Sequence, residues 1–326
     1  MRDSRLVKPM ALRPGDRVAV VAPSSAFPRE DFFAGLDELR RLGFEPVFDE
    51  RVFGHHRYTA GEPVARARAF AEAWQDPGVR AVLAARGGYG SAGLLPWLSL
   101  EALARTPKIL VGFSDVTALL SVLTTRCGMT AVHGPVVAGG LAAGPGRYDR
   151  HTFLQSLTSG EPLGALAAPA LEALAEGDAE GPIVGGNLTQ VAASMGTPYA
   201  FDPPEGCVLF LEDVNERPYR LDRLLTQLSH AGILHRARAV VFGEMPGCDE
   251  PDGSVAAKDA IGEVLRGFSG PVLLGLPAGH TAGPALTLPL GVRARVATRP
   301  SPVVEILESA VRDGPGPRVP GPDSRK

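Results

Sequence analysis

An α/β fold built on a parallel sheet covered by helices on both faces is what this sequence predicts. Three observations carry the prediction. Short apolar or β-branched runs alternate with segments of helical spacing through the first half. Those runs end in turns that contain Gly or Pro, and the same pattern restarts in the second half before giving way to short alternating runs. In sheets of this kind a ligand site lies beyond the carboxyl ends of the strands, so the turns that follow the strands are where chemistry is sought.

The elements follow in order. Residues 17–21 (RVAVV) form a buried strand closed by Ala22-Pro23-Ser24-Ser25. Residues 28–42 carry Phe32, Phe33, Leu36, Leu39 and Leu42 at helical spacing, with Gly43 as the stop. A second helix spans about residues 62–74, and strands follow at 81–84 and 109–111, each ending in a Gly-containing turn. Between Gly139 and Gly181 the composition shifts to Gly, Ala and Pro, which reads as a linker holding one or two short helices at most. The pattern resumes at Ile183-Val184-Gly185-Gly186-Asn187, with strands at 207–211, 239–242 and 271–274 and a helix over about 218–229. From Leu286 onward, residues 286–288, 293–297 and 303–306 alternate with the period of antiparallel strands. The tail from Asp313 holds Gly, Pro and charge and is expected to be disordered. The implied division is an α/β domain over 1–140, a linker over 141–180, a second domain over 181–312 and a tail over 313–326.

Composition narrows the function. At about 150 residues per domain, 326 residues make two domains or one large α/β unit. A net charge of −3 argues against a general nucleic-acid or acidic-membrane binder. No apolar run approaches the roughly 20 residues of a membrane helix, and the polar start Met1-Arg2-Asp3 lacks the apolar core of a signal peptide. Three scattered cysteines, Cys127, Cys207 and Cys248, form neither a disulfide framework nor a zinc ribbon. The expectation is a cytoplasmic protein.

Four segments offer chemistry. In residues 108–120 an apolar strand runs into Gly112-Phe113-Ser114 and then directly into an apolar helix. That geometry raises a serine hydroxyl at a strand end, with free amides of the helix start behind it to stabilise an oxyanion. A hydrolase elbow of the G-x-S-x-G type would need Gly where Val116 stands, and Ser114 or Asp115 simply capping the helix accounts for the segment as well. Arg86-Gly87-Gly88-Tyr89-Gly90-Ser91 is a Gly-rich turn that lets backbone approach a ligand, or merely a tight turn; it is neither a P-loop nor a dinucleotide fingerprint. Glu212, Asp213 and Glu216 lie between a strand and a helix, where one acid can orient an imidazole or all can serve the helix dipole; spacing does not choose among them. His280, in the loop Pro277-Ala278-Gly279-His280-Thr281-Ala282-Gly283, is the first candidate base and His133, in His133-Gly134-Pro135, the second, although a single histidine is more often structural. The adjacent His55 and His56 point apart and make a poor metal pair.

Taken in order from about Val18 to Ile306, these segments resemble the serine LD-carboxypeptidase family, which includes murein tetrapeptide carboxypeptidases and microcin-C immunity peptidases. The resemblance rests on residues 58–61, 86–91, 112–120, 133–135, 185–188, 211–228, Gly279-His280 and 286–291. It implies a flavodoxin-like parallel-sheet N-terminal domain and a smaller β-rich C-terminal domain with flanking helices, usually as a homodimer. It also implies Ser114 as nucleophile, Glu216 as acid, His280 as base, and the amides of Gly88 and Asp115 as oxyanion donors, with no metal or cofactor. Arg86 or Ser91, beside the Gly-rich turn, is expected to hold the terminal carboxylate of a small peptide substrate. The activity so implied is release of the C-terminal D-alanine from cytoplasmic murein tetrapeptides during cell-wall recycling. The alternatives are cleavage of an aminoacyl-nucleotide amide and a non-catalytic peptide-binding protein on the same scaffold. The first of these usually needs an aromatic to stack on the base, and between Gly134 and Gly185 only Tyr148 and Phe153 are aromatic.

Overall fold

The computed structural model describes residues 6–314. The first half alternates as β1 (Arg17–Val21), α1 (Arg29–Arg41), β2 (Glu45–Phe48), α2 (Pro63–Gln75), β3 (Val79–Ala84), α3 (Leu100–Arg105), β4 (Ile109–Gly112), α4 (Thr117–Thr125) and β5 (Ala131–His133). The segment expected to be a linker contains α5 (Arg150–Thr158) and two short strands, β6 (Gly164–Ala165) and β7 (Glu172–Ala175), before β8 (Asp178–Asn187) begins. Then come α6 (Leu188–Ser194), β9 (Cys207–Glu212), α7 (Pro218–His230), α8 (Ile233–Arg236), β10 (Ala237–Gly243), α9 (Ala257–Val264), β11 (Val272–Leu276), β12 (Leu288–Leu290), β13 (Arg293–Ala297) and β14 (Val303–Ile306). No helix among the described residues is long and apolar enough to cross a membrane. Of the expected disordered tail, residues 315–326 lie outside the described residues; Asp313 lies inside them and accepts a hydrogen bond from the Gly160 amide at 3.0 Å.

Two mixed α/β sheets result. The first runs β12-β5-β4-β3-β1-β2, parallel apart from β12. Because side chains alternate along a strand, Val18, Val20, Ala81, Leu83, Ile109 and Val111 enter one core with α1, while Ala19, Val21, Val82 and Leu110 enter the other with α2 and α4. The second sheet runs β6-β14-β13-β8-β9-β10-β11-β7, with β8 to β11 parallel and antiparallel strands flanking them. Leu209, Leu211, Val240 and Phe242 face α6, α7 and α9, while Val208, Phe210, Ala239 and Val241 face a core shared with β13 and β14. With eight strands the second sheet is the wider of the two.

One strand breaks the expected partition. β12 pairs antiparallel with β5, Leu288 opposite His133, so the chain returns from the second unit to close the edge of the first sheet. Alternation alone identifies such a segment as a strand and is silent on which sheet accepts it. The sheets also meet directly behind the Ser114 turn, where the Asn187 amide at the end of β8 donates to Thr117 Oγ1 at the start of α4, at 3.0 Å. The carboxyl ends of β4, β5, β8 and β9 are thereby brought to one place.

Candidate active site

Ser114 lies two residues beyond the end of β4 and opens a short 3-10 turn into α4. Its φ of +61° lies in the left-handed region, which a residue other than glycine occupies only when its surroundings enforce it. The enforcement is visible. A Cβ on Gly87, in the turn after β3, would stand 3.0 Å from Ser114 Cβ and 3.2 Å from its Oγ, so only a glycine lets the two turns touch this closely. The Asp115 carboxylate, almost fully buried, accepts hydrogen bonds from Ser24 Oγ (2.5 Å), the Ser91 amide (2.8 Å) and the Gly90 amide (3.2 Å). Arg66 on α2 donates to Gly90 O from below, at 2.9 Å. The Gly-rich turn and the serine turn are therefore one braced unit, with Asp115 as its clasp.

The bracing decides the fate of two residues expected to bind a carboxylate. Ser91 is fully buried, its amide on the Asp115 carboxylate and its hydroxyl donating to Asp115 O at 2.5 Å, so its side chain is not available to a ligand. Arg86 is exposed, donates to Ala26 O at 2.9 Å, and is not among the residues that line the cavity described below. Gly88 stays at the exposed surface of the turn, beside Tyr89, whose amide donates to Ser25 Oγ at 3.1 Å.

The imidazole partner differs from the expected one. Glu212, the last residue of β9, shares a strand face with Val208 and Phe210 and is completely buried. Its Oε2 accepts both the His280 amide (2.9 Å) and His280 Nδ1 (2.7 Å), while its Oε1 accepts from Asn187 Nδ2 at 3.3 Å. Asn187 is fixed in turn, donating also to Asp213 Oδ1 at 3.1 Å and accepting the Gln190 amide at 3.2 Å. Glu216, by contrast, lies beyond the strand and pairs with Arg220 one helical turn on; Arg220 Nη2 donates to its Oε1 at 3.2 Å and Nε also donates to it. The carboxylate on His280 is thus Glu212 and not Glu216. The i, i+4 placement of Glu216 and Arg220 is a local signal that marks Glu216 as occupied. Gly279, with φ of +80°, makes the Glu212 contact possible, since a Cβ there would stand 2.5 Å from the carboxylate.

The electrostatics follow from burial and pairing. For Glu212, burial pushes its carboxyl up, but the hydrogen bond and charge of His280 outweigh it and hold the acid below the usual carboxylate range. For His280, burial pulls down, and the Glu212 hydrogen bond and charge raise it net above its ordinary value. An ionised carboxylate only accepts, so Nδ1 carries the proton and Nε2 is left for proton transfer. His133 sits at the end of β5 in register with Gly112, fully buried between the rings of Phe113 (5.9 Å) and Phe210 (5.2 Å). Neither of its ring nitrogens has a hydrogen-bond partner among the described residues, and burial brings it down to about 4, so it is neutral near pH 7. His133 therefore does not compete for Glu212.

Phe113, the residue before Ser114, lays its ring against His280 at 5.0 Å. Both line a cavity of about 440 Å³, together with His133, Arg147, Val214 and Leu286. Residues from both sheets enclose it, as expected for a site at converging strand ends. Arg147, which sequence reasoning passed over inside the Gly-, Ala- and Pro-rich stretch, is brought to this wall only by the fold.

A strained serine at a parallel strand end, and a buried carboxylate–imidazole pair delivered from a second sheet, give the layout of a two-sheet α/β hydrolytic protein. Residues 18–134 match the LD-carboxypeptidase N-terminal domain and residues 180–296 the LD-carboxypeptidase C-terminal domain. The chain belongs to this peptidase family. A relative in Streptomyces coelicolor is 40% identical over 297 residues, covering 89% of this chain and 93% of its own. The murein tetrapeptide carboxypeptidase of Pseudomonas aeruginosa is 35% identical over 272 residues, covering 82% of this chain and 88% of its own. The solved structure of the microcin C7 self-immunity protein MccF in complex with aspartyl sulfamoyl adenosine matches with a TM-score of 0.84 at 26% identity, covering 94% of this chain and 100% of that one; that protein is from Escherichia coli.

Proposed function

We propose that this protein is a serine LD-carboxypeptidase that releases the C-terminal D-residue of murein tetrapeptides, with Ser114 as nucleophile, His280 as general base and Glu212 as its acid partner. The observation that carries the reading is the fully buried Glu212 holding His280 through both its amide and Nδ1 while Phe113 joins His280 to the serine turn. The murein tetrapeptide carboxypeptidase relative supports the substrate class.

The reaction follows from these groups. His280 Nε2 takes the Ser114 hydroxyl proton as Oγ bonds to the scissile carbonyl carbon, and Glu212 stabilises the imidazolium that forms. The oxyanion accepts from the amides of Gly88 and Asp115, which the Asp115 clasp holds in fixed relation at no cost in reorganisation. His280 then returns its proton to the departing amine nitrogen as the C–N bond breaks. Water, deprotonated by His280, attacks the acyl-serine and releases the shortened peptide with Ser114 reprotonated. Murein tetrapeptides are a product of cell-wall turnover, and the reading assigns the protein to their recycling.

The fold match to MccF raises a second substrate, an aminoacyl-nucleotide amide. The only two aromatics between Gly134 and Gly185, Tyr148 and Phe153, are both fully buried, so neither can stack on a base. The deciding test is mass-spectrometric detection of D-alanine released from a purified murein tetrapeptide by the wild type and by Ser114→Ala. Release by the wild type alone supports the proposal. No release by folded wild type overturns it, and turnover of an aminoacyl-nucleotide instead would establish the second substrate.

A further inference from the structure

Removing one terminal residue requires a group that recognises a free carboxylate, and of the residues first expected to do so Ser91 is buried and Arg86 does not line the cavity. We propose that Arg147 is that receptor, a specificity-determining residue that binds the substrate's C-terminal carboxylate beside the catalytic histidine; the inference rests on the carboxypeptidase reading above.

The placement is the first argument. Among the described residues that line the cavity, Arg147 is the only side chain with a permanent positive charge; the remaining wall is neutral apart from the two histidines. A carboxylate entering this largely apolar space is attracted to that one point, and the attraction strengthens as water is excluded.

The second argument is unspent capacity. Arg147 Nη1 donates to Ala282 O at 2.7 Å and Nη2 to Thr281 O at 3.4 Å. Both acceptors are neutral carbonyls, and no carboxylate among the described residues forms an ion pair with this guanidinium. Arg51, Arg220, Arg236 and Arg295, by contrast, are each matched to an acid. A guanidinium has five N–H donors in a planar fork suited to a carboxylate, so donors remain after the two carbonyl contacts.

The third argument is preorganisation. The Arg147 amide donates to Gly144 O at 3.0 Å and its carbonyl accepts the Ala285 amide at 3.1 Å, which fixes the root of the side chain. Its carbonyl partners, Thr281 and Ala282, follow His280 directly in the chain. Glu244 holds the same loop from another side, accepting the Thr281 hydroxyl and, at 3.1 Å, the Ala282 amide. The cation is therefore anchored to the loop that carries the base, at a set position relative to the reacting bond. That arrangement selects a terminal residue over an internal one without any lid.

The test uses the full chain and a matched pair of substrates, a tetrapeptide ending in a free D-alanine carboxylate and the same peptide ending in D-alaninamide. Wild type is expected to prefer the free acid in kcat/KM. In Arg147→Ala, KM for the acid should rise on the order of 10- to 100-fold, the range for losing a charge-assisted hydrogen-bonded pair, with kcat within a few-fold and the preference over the amide abolished. Arg147→Lys should restore part of that preference, and Arg86→Ala should leave it unchanged. Retained preference in Arg147→Ala overturns the proposal. So does an equal fall in kcat for both substrates at constant KM, which would make Arg147 only a positioning residue for the His280 loop. Binding of the two peptides to Ser114→Ala by calorimetry gives a readout free of turnover: loss of acid-over-amide discrimination on adding Arg147→Ala supports the receptor even if wild type cleaves neither peptide, an outcome that would refute the carboxypeptidase reading alone. No discrimination in Ser114→Ala itself overturns the receptor.

Discussion

Replacing Glu212 by Gln tests the site at its least replaceable point. The carboxylate is isosteric with the amide, so packing is preserved, but the hydrogen-bond pattern is not. Oε2 accepts two donors from His280, its amide and Nδ1, and Oε1 accepts a third from Asn187 Nδ2. A glutamine has one acceptor oxygen for these two sides. Turned toward His280, it leaves its NH₂ against the Asn187 NH₂, whose orientation is set by donation to Asp213 Oδ1 and by the Gln190 amide donating to Asn187 Oδ1; turned the other way, it points donors at the His280 amide and favours the wrong tautomer. In either orientation the negative charge that balances a protonated His280 is gone. For a triad acid so altered the loss in kcat is about 10⁴-fold, which is about 5.5 kcal/mol of transition-state stabilisation. The companion variant, Glu216→Gln, weakens an i, i+4 pair in which the acid is largely covered and its partner Arg220 is exposed; it does not touch His280 and should keep kcat within about twofold, since such pairs contribute only a few tenths of a kcal/mol. The assay is initial-rate release of D-alanine from the tetrapeptide, with circular dichroism and thermal melts to establish folding. Near-normal turnover in Glu212→Gln alongside collapse in Glu216→Gln would refute the assignment.

Three further outcomes follow from the same geometry. His133 is fully buried and titrates at about 4 in the folded protein against 6.5 in the unfolded chain, so between these values only the unfolded chain takes up the proton and stability falls with pH, by about 3 kcal/mol in all; chemical denaturation from pH 7 to pH 4 should show that loss, and His133→Phe should flatten it, whereas identical slopes would discount the buried imidazole. His280 is raised above 6.5 and must be neutral to act as base, so the acidic limb of kcat/KM should lie above pH 6.5 and move down in Glu212→Gln; a limb that does not respond to that substitution would assign it to another group. Gly279→Ala forces a side chain into a left-handed backbone and against the Glu212 carboxylate, at a strain of about 1–3 kcal/mol before the clash is counted; a lowered melting temperature with loss of turnover is expected, and a silent substitution would show that the loop relaxes freely.

Features set by neighbouring residues were legible in the sequence. The apolar runs 81–84, 109–111 and 207–211 lie within β3, β4 and β9, and the helix bounds near 28–42, 62–74 and 218–229 match α1, α2 and α7 to within a residue or two, because strand alternation and helical periodicity act over a few residues. The raised serine was legible for the same reason: strand, Gly112-Phe113-Ser114 and helix follow one another in the chain. The i, i+4 spacing of Glu216 and Arg220 is equally local, whereas the expectation of Glu216 as the acid came from the family resemblance alone, since spacing does not choose among the three acids after β9.

The sequence by itself determined the alternation of elements and a serine held at a strand end, since each depends on backbone preference and apolar partition among neighbours. The tertiary structure alone decided which acid meets the histidine, which cation reaches the cavity and which sheet receives β12. Glu212 and His280 stand 68 residues apart, and Arg147 lies 135 residues from its carbonyl partner Ala282. Such contacts exist only after parallel strands of two sheets have set their carboxyl ends against one another, and no periodicity within a single segment encodes that juxtaposition.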